Sequence, residues 1–395
     1  MSLRAESFAF ILLLGALTSL PALSTDMSLP ALTVIASDLQ TTIGMSSLTL
    51  STFLLGYAVS PLCCGPLADL FGRRPVLLLG CALYVGASLL CTVAPNIETL
   101  LTARVLQGAG GGAGNVLVMT VVQDLFKGQQ ARERLSYIAT LRLVVPMLAP
   151  TAGGALLMMG DWRLIYGVMS VAGLVLLAVL YWRFPETRPN LGSRPPGLFR
   201  TMVHHYWEAL THRTCLLNSL VNACLFGSLF AYIAGSPMLM MDYLGLSPQA
   251  FGVTFACTAG GIMIGSLINA RLNRRGVSPY FIVRNGLTLA AVSAALLLML
   301  LLGGSQHLGL ILACLVVHTL SFGLVASNVS HAAVSSVPHL AGSASAVVSS
   351  LMMGVGTLSS GLVPLLGIQP LSLSTVLVMT LFSFLSGAVF LRLHR

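Results

Sequence analysis

An all-α membrane protein of twelve transmembrane helices in two six-helix halves is the fold class that this sequence predicts, and three observations carry it. The 395 residues are 56% apolar and only 8% charged, a proportion that cannot be divided between one buried core and one water-facing surface. The apolar residues fall in long runs without two-residue alternation. A helix needs about 20 such residues to cross a bilayer, where every backbone polar group must be satisfied internally. The arginines, finally, gather in alternate connections between the runs.

Taken in order, the runs place spans near 8–34, 46–66, 75–94, 98–123, 135–159, 164–183, 214–241, 249–270, 280–302, 308–330, 341–366 and 371–391. The first follows Arg4 and has small residues near Ala22 and Ser24, as a signal peptide would. It extends well past a signal h-region, so it is read as span 1. One set of loops carries Arg4; Arg73 and Arg74; Lys127, Arg132 and Arg134; Arg183, Arg188, Arg194, Arg200 and Arg213; Arg271, Arg274 and Arg275; and Arg392 and Arg395. The opposite set carries Arg163 alone. The positive-inside rule makes the basic set cytoplasmic and puts both termini inside. The net charge of +9 is therefore a topology signal. A nucleic-acid surface would cluster the basic residues among aromatics, and these are dispersed.

Residues 184–213 form the one long polar connection, with Pro185, Pro189, Pro195 and Pro196. They divide the chain into an N-terminal six-helix half (1–183), a cytoplasmic linker (184–213) and a C-terminal six-helix half (214–395). All eight cysteines fall inside predicted spans, so neither a disulfide framework nor a C-x-x-C metal site is indicated. His204 and His205 in the linker lack the i,i+4 partner and acids of a metal site. No G-x-x-x-x-G-K-[ST] loop is present for a nucleotide, and no cofactor is expected.

Five segments carry chemistry. Between spans 2 and 3, Gly65-Pro66-Leu67-Ala68-Asp69-Leu70-Phe71-Gly72-Arg73-Arg74-Pro75 reads as a charged turn of a membrane hairpin. It resembles the loop between the second and third helices of the major facilitator superfamily, roughly G-x-x-x-D-R-x-G-R-R, with Leu70 where that pattern has arginine. Asp124 ends span 4 on the same membrane face, and Gly65, Asp69, Gly72, Arg73, Arg74 and Asp124 are grouped as a conformational latch. After span 8, Asn269-Ala270-Arg271-Leu272-Asn273-Arg274-Arg275-Gly276 echoes the turn without its acid.

Span 4 opens with Arg104, Gln107 and Gly108, followed by Ala109-Gly110-Gly111-Gly112-Ala113-Gly114-Asn115. A dinucleotide fingerprint would need a preceding strand. Glycines this dense instead let membrane helices approach closely. The segment resembles the superfamily's R-x-x-q-G motif, and an arginine at this depth reads as functional, the alternative being an interfacial snorkel. In span 5, Pro146-Met147-Leu148-Ala149-Pro150-Thr151-Ala152-Gly153-Gly154 resembles the antiporter motif of drug:proton exporters. Its prolines remove backbone donors and its glycines permit tight packing. Thr25-Asp26-Met27-Ser28-Leu29-Pro30-Ala31 in span 1, and Ala231-Tyr232-Ile233-Ala234-Gly235-Ser236-Pro237 in span 7, are similar to the bicyclomycin/chloramphenicol-resistance (Bcr/CflA) subfamily, Ser28 replacing its usual tyrosine.

Asp26 is the one acid among eleven that lies well inside a span. Burial favours a protonated carboxyl and a nearby cation favours the ionised one, so an acid beside a movable cation can exchange protons as its surroundings rearrange. Span 1 runs outward and span 4 inward. At about 1.5 Å per residue, Asp26 and Arg104 share the outer half of the bilayer, which allows contact. The structural alternative is that Asp26 orders a helix kinked at Pro21 and Pro30. Asp26, Asn115, Asn218, Asn222, Asn328, Tyr232 and His318 are candidates for substrate contact, the asparagines equally for gluing helices and His318 for structure. Arg142 either lines the cavity or snorkels.

The resemblance implies a bacterial inner-membrane antiporter that exports small amphipathic compounds in exchange for protons by alternating access to a midplane site. Its partners are then substrate, protons and lipid, and it acts as a monomer, without nucleic acid. An exporter of a natural metabolite such as a sugar, amino acid or nucleobase derivative is the alternative. A passive channel or a membrane enzyme fits less well, and no H-E-x-x-H or G-x-S-x-G motif is present.

Overall fold

The computed structural model describes residues 7–187 and 198–393. Arg4, Arg188, Arg194 and Arg395 of the basic set, and Pro189, Pro195 and Pro196 of the linker, lie outside the described residues. Among the described residues the chain is helical without strands, and twelve segments are long and apolar enough to cross a membrane. Two compact units form, one from Met1–Ala31 with Thr52–Val203, the other from Leu32–Ser51 with His204–Arg395.

The first span is broken. Helix α1 (Phe8–Asp26) starts where Ser7 Oγ accepts the Phe10 N–H, and it ends at Asp26. A 3-10 turn (Leu29–Ala31) built on Pro30 follows, and α2 (Leu32–Asp38) completes the crossing. Helix α3 (Ile43–Phe71) then runs through Pro61 and Pro66. The expected turn from Gly65 to Pro75 is therefore corrected. Helix continues to Phe71, the Gly72 N–H still donates to the Ala68 carbonyl, and α4 (Arg73–Thr92) begins at once. Gly72, at φ +100°, is the whole junction. A residue with a Cβ is strained there, and glycine is not.

Helix α5 (Ile97–Leu125) starts under the Asn96 cap, whose Oδ1 accepts the Thr99 N–H at 2.9 Å. Its glycines serve three neighbours. A Cβ on Gly108 would strike the Phe53 carbonyl of α3, one on Gly110 the Gly80 carbonyl of α4, and one on Gly114 the Leu17 carbonyl of α1. Helices α6 (Gly128–Met159) and α7 (Arg163–Arg183) complete the first unit. Its core joins Phe10 and Leu14 to Leu77, Leu117, Val121 and Leu180.

The linker is not merely a polar connection. Leu198–Thr211 is an additional helix, α8, which the sequence reading did not expect. Ala209 is buried against Cys215, Ala333 and Leu340 with Tyr206 and Leu210 beside it, while Trp207 is 67% exposed. The second unit continues with α9 (Arg213–Pro237), a π turn (Met238–Tyr243), α10 (Pro248–Arg274), α11 (Pro279–Leu302), α12 (Leu308–Ser335), a 3-10 turn (Pro338–Leu340), α13 (Ala341–Leu365) and α14 (Leu371–Leu393). Helix α9 packs on α12, α13 and α14. Large apolar side chains such as Leu79, Leu148, Leu296 and Phe384 point outward, the reverse of a water-soluble fold but what a lipid solvent allows.

Candidate functional site

In the first unit, polar groups collect around the break in span 1. Asp26 is 5% exposed, at the last residue of α1, and its Oδ1 accepts the Thr25 hydroxyl at 3.0 Å. Among the described residues no cation lies within 4 Å of its carboxylate. Arg104 is fully buried, and Nη1 donates to the Ser24 carbonyl at 3.1 Å and to Gln107 Oε1 at 2.6 Å. Its guanidinium also lies 4.6 Å from the Phe53 ring centroid and 5.7 Å from that of Tyr166. Desolvating an arginine costs several kcal/mol, and a cation–π contact returns about 2, so the bonds through Nη1 and the ring contacts act together. Arg104 thus reaches span 1 two residues before Asp26. Depth is shared, but the direct pair does not form here.

The second contact to the break comes from α6. That helix runs unbroken through Pro146 and Pro150, and Gly153 lies so close to the Met27 carbonyl and the Pro30 ring that a Cβ would collide with them. Gly154 is buried beside it. The glycine pair therefore sets how near α6 comes to the unwound residues flanking Asp26. Gln107 extends the network away from the break, its amide donating to Ser88 Oγ at 2.8 Å, while Ser24 Oγ and Tyr84 OH share a bond of 2.6 Å. On α5, Asn115 holds a buried amide oxygen with no partner in the first unit's described contacts. Arg142 on α6 is exposed.

At the other end of the same unit, Arg73 is 8% exposed and donates through Nη1 to Asp69 Oδ1 at 2.8 Å and to the Ala68 carbonyl at 2.9 Å. Its Nε donates to Asp124 Oδ2 at 3.1 Å. The sequence reading missed the fourth member. Glu186, past the end of α7, accepts the backbone N–H groups of Arg73 and Arg74 at 2.9 and 3.1 Å. Helix α4 has no side-chain cap of its own, since Gly72 stands in that position. Its free N–H groups and positive dipole end are what a carboxylate satisfies. The signal was present in the uncapped start of α4. Arg74 Nη2 donates to the Tyr181 carbonyl at 2.6 Å, and Gly65 faces open space.

The second-unit candidates are mostly occupied by the protein itself. His318 is 1% exposed, with Nε2 bonded to Ser228 Oγ at 3.1 Å and Nδ1 to the Ala290 carbonyl at 3.3 Å, so it bridges α12 to α9 and α11. The Tyr232 hydroxyl bonds Thr258 Oγ1 at 2.7 Å, tying α9 to α10. Asn218 donates to the Thr214 carbonyl within its own helix. Asn222 donates to Ser330 Oγ at 3.0 Å and keeps a buried Oδ1 without a partner. Asn115 and Asn222 are therefore the asparagines with acceptor capacity to spare.

A broken first span holding a buried acid, a buried arginine on the fourth span and a glycine of the fifth span packed on the break set the frame for comparison. Residues 14–361 match the family described as Major Facilitator Superfamily. The chain belongs to that superfamily. Similar proteins include the "Uncharacterized MFS-type transporter YdgK" of Bacillus subtilis, 33% identical over 92% of this chain and 90% of that one. The "Bicyclomycin resistance protein homolog" of Haemophilus influenzae is 28% identical over the same shares. "Multidrug resistance protein MdtL" of Salmonella heidelberg is 30% identical over 66% of this chain and 63% of its own. A D-xylose-proton symporter structure matches with a TM-score of 0.77 over 98% of this chain and 97% of that chain at 12% identity, a likeness of fold alone. The protein is thus a multi-pass membrane transporter of small molecules and not an enzyme.

Proposed function

We propose that this transporter is a proton-coupled exporter of small amphipathic compounds, antibiotics among them, working by alternating access in a bacterial inner membrane with both termini in the cytoplasm. The halves that alternate are 1–183 and 214–395, joined by 184–213. The observation that carries the reading is Asp26. It is a membrane-buried carboxyl at the break of span 1, held by one hydroxyl, with the glycine of the antiporter-like motif against the next residue and Arg104 bonded two residues before it. An intramembrane acid placed at unwound backbone is costly unless it works, and proton exchange is work such a group can do. The relatives named for bicyclomycin and multidrug resistance support the substrate class.

With one membrane carboxylate at the break, neutral or singly charged substrates are expected. The deciding measurement is substrate-induced proton release from purified protein in detergent, for the parent and for Asp26→Asn. The substitution keeps shape and hydrogen-bonding capacity while fixing the neutral state. It is expected to abolish proton release and uphill efflux and to preserve substrate exchange. Undiminished proton release in Asp26→Asn rejects the assignment, and efflux that survives collapse of the proton gradient rejects the coupling.

A further inference from the structure

One cavity lies at the end of the second unit opposite its arginines. It measures about 620 Å³, within the range of small-molecule sites, and is walled by the start of α3, the π turn after α9, the α11–α12 loop and the α13–α14 connection. We propose that it binds a small organic monocation, an amine or quaternary ammonium with an apolar body. Asp242 is the only carboxylate in its wall, and no lysine, arginine or histidine lines it. The described arginines of this unit, Arg213, Arg271, Arg274, Arg275, Arg284 and Arg392, all sit on the other ends of the helices, and His307, next to Gln306, is not among the lining residues. The wall thus presents one carboxylate and no cationic side chain to a guest.

Two further features select the ligand's body. Tyr243 is anchored by its hydroxyl, which donates to the Ser305 carbonyl at 3.1 Å, so its ring forms fixed wall suited to a cation–π contact. Met238, Ile43 and Leu371 supply apolar lining. A metal ion would need several oxygens, and a lone carboxylate does not provide them. Ser372 belongs to the wall with its hydroxyl closed off from the open space, so it shapes the site and offers the guest no bond. Gln306 and Gln369 add amides that can bond the same guest. Occupancy needs no proton movement, so equilibrium binding is read separately from the proton coupling of the exporter reading.

The test is equilibrium binding of radiolabelled benzyltrimethylammonium to the full chain in nanodiscs, with unlabelled neopentylbenzene, its uncharged isostere, as competitor. Asp242→Asn is expected to weaken binding about tenfold or more, the loss of the coulombic attraction between carboxylate and ammonium. Asp242→Glu is expected to restore it, which separates charge from folding. Equal affinity in the parent and Asp242→Asn, equal competition by the uncharged isostere, or binding lost in Asp26→Asn but kept in Asp242→Asn would each overturn the proposal.

Discussion

The two units solve one junction with different chemistry. In the first, Asp69 and Arg73 near the α3–α4 joint meet Asp124 of α5. In the second, Asn269 and Asn273 at the end of α10 meet Asn328 of α12. Asn273 Nδ2 donates to Asn269 Oδ1 at 2.9 Å and to Asn328 Oδ1 at 3.1 Å, and Asn328 Nδ2 donates to Asn269 Oδ1 at 2.7 Å. The spacing recurs with it, since Gly65, Asp69 and Arg73 return as Gly265, Asn269 and Asn273. Three ions have become three amides in the same arrangement. Charge-assisted bonds are roughly twice as strong as neutral ones but depend on salt and on protonation. The first junction can be tuned electrostatically; the second is a fixed fastener.

That contrast breaks most visibly at Arg73. Its side chain is 9% exposed, against 48% for Asp69 and 17% for Asp124, so removing it strands groups between the buried and the exposed limits. Arg73→Gln should destabilise the protein by about 2–3 kcal/mol, between those limits, whereas Asn273→Ala should cost about 1. Thermal unfolding at two salt concentrations checks both, and only the first should respond to salt. Equal salt dependence would erase the distinction.

Asp69→Asn copies one feature of the second junction into the first. The half-exposed Asp69 contributes about 1 kcal/mol or less. Folding should therefore survive while transport slows and substrate binding persists, and parental transport at equal expression would show that the charge carries no latch duty. Glu186→Gln keeps one acceptor for α4 but loses the charge at its positive end, for an expected cost of about 0.3–1 kcal/mol. Unfolding measurements on that variant sharpen the comparison, because α11 starts without such a carboxylate among its described contacts.

The smallest effect belongs to α8. His339 Nε2 lies 2.9 Å from Glu208 Oε1, and that bond, with further help from the charges of His339, His204 and His205, holds the Glu208 carboxyl below its ordinary value of 4.5. A depressed acid contributes stability above its unfolded value and loses it as pH falls through the folded one. The contribution of Glu208 to the docking of α8 should therefore be lost as pH falls below 4.5. Fluorescence of the exposed Trp207 on acid titration reports it, and Glu208→Gln should flatten the response.

The spans were legible because apolar length is local information; the bounds moved by a few residues. The Gly65–Pro75 segment was misread because Gly-Pro ordinarily breaks helices, whereas neighbouring helices tolerate it within a membrane fold. Helix α8 was hidden in a connection that four prolines and four arginines made read as a polar linker. Asp26 and Arg104 stood out by charge alone. Asn328 was legible as able to glue helices or touch substrate, but the helix it would join was not, since its partners lie 55 and 59 residues away. Glu186 lies more than 110 residues from the amides it caps, and no spacing rule reaches that far.

Gly72 has a mechanical consequence. Helices of 29 and 20 residues meet through one amino acid, so the relative pose of two long rods is concentrated in the φ and ψ of a single α-carbon. There is no slack loop to absorb motion. A Cβ at this position would overlap the Glu186 carboxylate, whose oxygens grip the next two amides. The joint thus has two degrees of freedom and one clamp, and any rotation of α3 is delivered to α4 undiminished unless Glu186 lets go.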